Sequence, residues 1–332
     1  MSRPLIAVFR GGYSGESVIS HQSAKRMLEA IDPDRFDPVY FTVTRDQWTC
    51  EGPGGNALPF DRALLKADTG SGPRTVDAVL IAIHGTPGED GKLQGLLDML
   101  GIPYQTGGVL NMAVSFSKFS TTSMLRQLGF PVADSMLITA ATRPTDAEVL
   151  DRVGLPCFVK PDQSGSSLGI SKVNRAEELG PALDRAFLEG DVVMAEAFLK
   201  GRELTCGAIR LDGRVQALPL CEIRTSREFF DYEAKYHSSD TQELIPAPLP
   251  EAVTKLVQQR TVAIYTALGC RGMARIDHIW TGGDGLDGEV YTIEVNTTPG
   301  FSPASIFPKM LEECGIGVAP AVNGLIVECL QR

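Results

Sequence analysis

No stretch of this 332-residue sequence approaches the ~20 apolar residues that a membrane-spanning helix needs, and the run Leu5 to Phe9 is too short for the core of a secretion signal. The chain is therefore expected to work in the cytoplasm, with no membrane partner. A basic excess is missing too, since 31 Lys and Arg stand against 41 Asp and Glu, a formal charge of −10. An extended phosphate backbone selects a basic face, so no nucleic-acid partner is expected, whereas a small anion held by a few local lysines remains open. The seven cysteines are singletons without C-x-x-C spacing. That argues against a disulfide framework and a zinc site, and leaves residues such as Cys157 as core filler. Internal repeats, low-complexity tracts and heptads are also absent.

What is present is an ordinary globular composition, 43% apolar and 22% charged, over a length that suits two or three domains. PLIAVFRGGYSGESVIS predicts a strand, a glycine loop and a helix running through His21 to Ile31. Apolar strands at Pro38 to Thr42 and Val76 to Ile83, parted by a polar Gly/Pro-rich stretch, and a helix near Leu93 to Leu100 extend this to a parallel α/β sheet. That N-terminal α/β domain is expected over residues 1–117. Residues 118–203 predict a compact α+β unit: the helix KFSTTSMLRQLG, strands MLIT and CFVK, a Gly/Ser loop and another strand, a helix around Ala176 to Phe187, and a strand VVMAEAF. Residues 204–332 predict strands joined by turns, a polar aromatic loop FFDYEAKYHSSD, a helix from Glu251 to Leu268, two more strands and terminal helices.

Three constellations carry chemistry. In GMARIDHIW, Arg275 and Asp277 are two residues apart, as are Glu294 and Asn296 in EVYTIEVN. Side chains on a strand repeat with period two, so pairing across the DGLDG hairpin would gather a guanidinium, two carboxylates and an amide oxygen in one cleft. Such hard oxygen ligands suit Mg2+ carrying phosphates; the alternative is an ion pair that steadies a sheet. In FVKPDQSGSSLGISKV, Lys160 ends a strand and a Gly/Ser loop offers backbone N–H groups to phosphate oxygens, the alternative being a polar hairpin loop. In AEAFLKGREL, Glu196 and Glu203 flank a connection able to meet an adenine edge, or are simply two solvated glutamates. GTPGEDGKL is no P-loop, having one residue too many between Gly85 and Gly91 and Leu93 where a hydroxyl is needed, and GGYSGE lacks the dinucleotide spacing.

Taken in order, HGTPGEDGKLQGLL, GIPY, FVKP with GSSLGISKV, GREL, FFDYEAKY, RID and EVNTTPGFS with the later PKM resemble the D-alanine–D-alanine ligases of the ATP-grasp superfamily. The resemblance runs from Glu16 to the last helix. It implies a Rossmann-like parallel-sheet domain followed by a two-domain ATP-grasp fold that clamps ATP and two Mg2+ ions, or Mn2+ in their place. Asp277, Glu294 and Asn296 are then the metal ligands, with Glu294 bridging. Lys118 and Lys160 meet the α and β phosphates, Ser167 belongs to the phosphate loop, Glu196, Ala197 and Leu199 line the adenine, Glu203 holds the ribose, and Lys235 reaches the γ-phosphate. Glu16 receives the ammonium of the first D-alanine and His84 completes its pocket. Arg275 and the Gly300 N–H hold the oxyanion, while Ser305 and the Ile306 N–H take the second substrate's carboxylate. Ser166 and Tyr236 fasten a closing loop, Phe229 to Asp240. In ligases of this kind, tyrosine at the Tyr236 position goes with dipeptide formation and phenylalanine with ester formation.

The implied reaction joins two D-alanine molecules through a D-alanyl phosphate, for peptidoglycan precursors, in a homodimer. D-lactate or D-serine as second substrate, and a non-catalytic ATP-binding regulator, are the alternatives. The chain departs from the family pattern at Ser17, usually His or Arg, at Gln105, Thr106 and Gly107, usually TGS, and at His278, usually aromatic. None of these is a proposed ligand.

Overall fold

The structure is a computed structural model and describes residues 2–163, 165, 168–225 and 241–332. Ser166, Ser167, Lys235, Tyr236 and the expected closing segment lie outside the described residues. The first strand, β1 (Leu5–Gly11), is almost wholly buried and is flanked by two parallel partners, β2 (Asp37–Val43) and β7 (Ala78–Ile81). Near-continuous apolar runs are what a strand covered on both faces requires. The edge strand β3 (Trp48–Glu51) pairs antiparallel with β2, giving the order β3-β2-β1-β7. Helices α1 (Ser17–Ala30) and α2 (Lys92–Leu100) follow β1 and β7. The polar stretch between the expected strands, read from sequence only as a separator, forms β3 and a small antiparallel sheet of β4 (Phe60–Asp61), β5 (Lys66–Asp68) and β6 (Pro73–Thr75). Strands of two or three residues are too short for alternation to be legible.

Helix α3 (Val109–Phe116) precedes the expected helix, α4 (Lys118–Gln127). Ser117 separates them, and its side chain accepts the Ser120 N–H at 3.1 Å, an N-cap that restarts the helix just ahead of Lys118. The second sheet is antiparallel with order β10-β9-β11-β8, from β8 (Ser135–Thr139), β9 (Cys157–Pro161), β10 (Ser171–Val173) and β11 (Val192–Ala197). Two helices cover it: α5 (Asp146–Val153), opened by a Thr145/Glu148 capping box that the sequence analysis passed over, and α6 (Leu179–Ala186).

The third sheet is built on the long strand β12 (Arg202–Leu211), with β13 (Arg214–Ala217), β14 (Cys221–Thr225), β15 (Thr241–Leu244), β16 (Met273–Trp280) and β17 (Val290–Asn296) in the order β15-β14-β12-β16-β17, β13 also pairing with β12. Helix α7 (Glu251–Ala267) backs it, and α8 (Ile306–Glu313) and α9 (Val318–Leu330) end the chain. These last helices do not form a separate layer. Ile6, Val8 and Met27 share one core with Phe301, Phe307, Leu325 and Ile326, so the first sheet and the end of the chain are packed together. Asn323 clips the seam by accepting the Asp32 N–H and donating to the Ala30 carbonyl, at 2.9 and 2.8 Å. Among the described residues no single helix is long and apolar enough to cross a membrane.

Candidate active site

Strands β16 and β17 pair antiparallel with Arg275 opposite Asn296 and Asp277 opposite Glu294. Period two alone does not produce this. His278 pairs with Thr292, both fully buried on the core face, so a regular ladder would set Ile293 opposite Asp277 and turn Glu294 inward. The register shifts at this point, leaving Ile293 as the extra residue of a bulge, and the shift brings Glu294 and Asn296 onto the face of Arg275 and Asp277.

On that face Arg275 grips Asp277 through two bonds, Nε to Oδ1 at 3.0 Å and Nη2 to Oδ2 at 2.8 Å. Asn296 Nδ2 adds a bond to Oδ2 at 3.0 Å, and the Thr205 hydroxyl of β12 donates to Oδ1. The Arg275 guanidinium is partly buried, which works against its charge, but Asp277 and Glu294 outweigh burial and raise its pKa. Opposite, Lys118 Nζ at the start of α4 lies 3.0 Å from Glu294 Oε1. Burial again opposes the charge and Glu294, Asp162 and Glu89 outweigh it, so Lys118 stays protonated. Asp162 is the part the sequence analysis missed: almost fully buried, it accepts the Phe119 N–H at 2.8 Å while its carbonyl takes the Lys118 N–H at 3.2 Å. It ties the Lys118 end of α4 to the end of β9.

Strand β9 also carries Lys160, whose Nζ lies 2.7 Å from Glu196 Oε2 on the neighbouring strand β11. Both are buried, so Glu196 is not a solvated glutamate, and its Oε1 is buried with no partner among the described residues. A polar atom in that state is a seat for a donor, such as the amino edge of a base. Ala197 ends β11, Leu199 lies partly buried in the connection, and Glu203 is the second residue of β12, opposite Ile279. The four residues lie along the connection from the second sheet to the third.

The third wall comes from the segments that follow β1 and β7. Glu16 is the residue before α1, and a Cβ placed on Gly165 would lie 2.5 Å from its Oε2, so its carboxylate is against the Gly/Ser loop. His84 follows β7 and is buried, with Nε2 3.2 Å from Ser23 Oγ and Nδ1 3.1 Å from the Thr298 carbonyl. Burial lowers its pKa, against the opposing pull of Glu16. Glu89, in the GTPGED turn, was not singled out from sequence. It accepts the Gly85 N–H at 2.7 Å, and burial, helped by Glu16 and Glu294, pushes its carboxyl up to about 8 despite Gly85 and Lys118. The turn itself, GTPGED, reads in the sequence as a failed P-loop and as part of a family motif, without a role for Glu89. Gly300 lies against Ser305, whose Oγ would be 2.8 Å from any Cβ there, and Ile306 is the first residue of α8. Ser305 Oγ accepts the Ser302 N–H at 3.1 Å. His278, by contrast, belongs to the core: Thr261 and Thr292 hold its two ring nitrogens at 3.0 and 3.2 Å, and burial depresses it to about 4.

Two carboxylates and an amide oxygen on one sheet face, with lysines on the opposite wall, form a donor set suited to Mg2+, which takes one or two carboxylates and completes its shell with phosphate oxygens and water. Among the described residues no larger cluster of His, Cys, Asp and Glu competes for a metal.

Comparison with known proteins gives matches over nearly the whole chain. Residues 5–107 match the family described as D-ala D-ala ligase N-terminus, and residues 124–327 match D-ala D-ala ligase C-terminus. The D-alanine–D-alanine ligase of Phocaeicola vulgatus is 40% identical over 321 residues, covering 97% of this chain and 98% of that protein. The structure is similar to the VanG D-Ala:D-Ser ligase from Enterococcus faecalis, with TM-score 0.84, 30% identity and coverage of 98% and 99% of the two chains. It is also similar to a D-alanine–D-alanine ligase from Bacillus anthracis complexed with ATP, with TM-score 0.76, 28% identity and coverage of 99% and 98%.

Proposed function

The chain belongs to the D-alanine–D-alanine ligase family and has the ATP-grasp fold of those enzymes, and on that premise we propose that it joins two D-alanine molecules at the expense of ATP, supplying a peptidoglycan precursor. The observation that carries the reading is the convergence of Arg275, Asp277, Glu294 and Asn296 on one sheet face, across from Lys118 and beside the Gly300–Ser305 turn. Glu16 binds the ammonium of the first D-alanine. The carboxylate of that D-alanine then attacks the γ-phosphorus of ATP, giving D-alanyl phosphate and ADP. Lys118, Lys160 and Lys235 hold the phosphates, Ser167 belongs to the loop around them, Glu196, Ala197 and Leu199 line the base, and Glu203 takes the ribose.

Asp277, Glu294 and Asn296 would hold two Mg2+ ions, or Mn2+, which when bound neutralise charge on the phosphate oxygens. The carboxylate of the second D-alanine sits on Ser305 and the Ile306 N–H at the start of α8, where a helix N-terminus favours an anion. Its amine attacks the acyl carbonyl, the tetrahedral oxyanion is held by Arg275 and the Gly300 N–H, and phosphate leaves as the peptide bond forms. Arg275 is preset for this, because Asp277 occupies Nε and Nη2 and so fixes the plane of the guanidinium. Ser166 and Tyr236 close the site over the intermediate and keep water from it. The enzyme acts in the cytoplasm as a homodimer.

Phosphate release, measured with ATP and a panel of D- and L-amino acids and D-hydroxy acids, tests the reading. D-alanine as both substrates should give the highest turnover. Preference for D-serine in the second position would place the chain with the D-Ala:D-Ser ligase it is similar to. Silence with every D-substrate, from folded protein that binds ATP, would leave a nucleotide-binding regulator.

A further inference from the structure

We propose that Ser23 is a positioning residue for the ligation, acting with His84 to fix the turn that presents the Gly300 N–H. The turn Thr298-Pro299-Gly300-Phe301 is buried except at Gly300, which alone of the four is partly exposed. Proline has no N–H, so the only backbone groups able to anchor the turn's flanks are few, and two of them are held from the first domain. The Thr298 carbonyl faces His84 Nδ1 at 3.1 Å, and the Phe301 N–H donates to Ser23 Oγ at 3.0 Å. One residue on, the Ser302 carbonyl accepts from Arg26 Nη1 at 3.3 Å. Ser23 and Arg26 are three apart on α1, so one face of that helix grips the segment.

The protons can be assigned from the partners. A backbone N–H only donates, so Ser23 Oγ accepts from Phe301. The Thr298 carbonyl only accepts, so His84 Nδ1 carries a hydrogen, and in a ring that burial keeps neutral Nε2 accepts the Ser23 proton, 3.2 Å away. That leaves His84 as the neutral ring with its hydrogen on Nδ1, donating to Thr298. The result is a closed circuit from Phe301 N–H through Ser23 and His84 to the Thr298 carbonyl, spanning the two peptides that set the direction of the Gly300 N–H. Burial favours the same neutral ring, with the Arg275 charge adding to it and Glu16 opposing. Ser23 is fully buried and touches no substrate position in the proposed reaction, so its part is to aim a donor, not to bind. An oxyanion hole depends on donors already in place, and a small misdirection of one of them is felt in the transition state before it is felt in substrate binding.

This rests on the reading of Gly300 and Arg275 as the oxyanion donors. The test compares Ser23→Ala with Arg275→Lys in steady-state kinetics, in thermal unfolding, and in inhibition by a phosphinate dipeptide, a tetrahedral mimic of the attacked carbonyl. Removing one oxyanion donor outright costs about 10²–10³ in kcat; misaiming one should cost about tenfold. Ser23→Ala is expected to lower kcat about tenfold and to weaken phosphinate inhibition about tenfold, with KM for ATP within about twofold. Should Ser23→Ala not fold, Ser23→Cys, close in size and a weaker donor, should show the same pattern at about threefold. If Arg275→Lys loses phosphinate affinity while the Ser23 variants keep both kcat and phosphinate affinity and merely melt earlier, Ser23 is packing only and the proposal falls. If Arg275→Lys also keeps phosphinate affinity, the oxyanion reading fails, and the proposal with it.

Discussion

Among the described residues two lysines are buried against a glutamate, and the pairs differ in kind. Lys160 and Glu196 stand on adjacent strands of one sheet, with side chains only 11% and 6% exposed. Lys118 and Glu294 come from a helix start and from a strand of another sheet, with Glu294 32% exposed. The first pair is a fixture of its sheet, since neither partner can be resolvated without opening the sheet. The second joins parts of the chain that meet only at the site, and under the proposed function its half-open carboxylate would give up Lys118 to a metal ion while Lys118 turned to a phosphate. The two lysines are equally exposed; the exposure of the glutamate and what each partner is anchored to separate the pairs.

The largest expected effect attacks the open pair. Glu294→Gln should lower turnover by about 10³ or more, because a metal ligand beside the transferring phosphoryl group contributes several kcal/mol to the transition state. Its melting temperature should stay close to that of the parent. Near-normal phosphate release at saturating Mg2+ would remove Glu294 from the ligand set. The closed pair should respond the other way. Lys160→Met leaves Glu196 buried without a partner and should cost about 3–5 kcal/mol of stability, whereas Lys160→Met with Glu196→Met should regain most of it without regaining nucleotide affinity. Lys118→Met should cost less stability than Lys160→Met, as Glu294 reaches water. Equal losses from the two lysine variants in urea unfolding would dissolve the distinction.

Glu16 adds a case in which recognition and stability part. Glu16→Gln weakens a charge-assisted contact and should raise KM for the first D-alanine by roughly 10- to 100-fold, or about 1.5–3 kcal/mol, and leave KM for ATP unchanged. The reverse pattern would move Glu16 to the nucleotide side.

The smallest effect concerns Glu89. Its carboxyl is raised from an ordinary 4.5 to about 8, first by burial. Between those values the unfolded chain has given up a proton that the folded chain keeps, so the folded form binds more protons and stability falls as pH rises through the window. Glu89→Gln can still accept the Gly85 N–H and does not titrate. Scans of Mg2+-free protein at pH 5.5 and 8 should show the parent losing a few degrees more than the variant; parallel losses would mean that Glu89 ionises normally.

The clustering of Arg275, Asp277, Glu294 and Asn296 was legible because the two pairs repeat with the period of a strand, and the hairpin between them is a turn by composition. The bulge that lets the two repeats share a face was not legible, since nothing in YTIEVN marks Ile293 as the unpaired residue. Helix α3 escaped notice because its apolar sequence, VLNMAVSF, runs straight into the next helix with only Ser117 to divide them. Asp162 and Ser23 escaped for a different reason: each works by holding backbone from a distant part of the chain, and a sequence carries no sign of which N–H will arrive. His84 and His278 look alike in composition, and only their partners tell them apart. One bridges the first domain to the 298–301 turn; the other stays within its own sheet and helix.

The core shared by Ile6, Val8, Leu325 and Ile326 has a consequence for how the protein is made. A ribosome adds about 5–20 residues per second, so β1 leaves the exit tunnel on the order of tens of seconds before α9 exists to cover its sheet. During that interval one face of the earliest strands is open to chaperones or to other nascent chains. The first sheet can reach its final packing only after α9 has been made, so a ribosome that stalls before α9 should release a chain whose earliest strands are the part that aggregates.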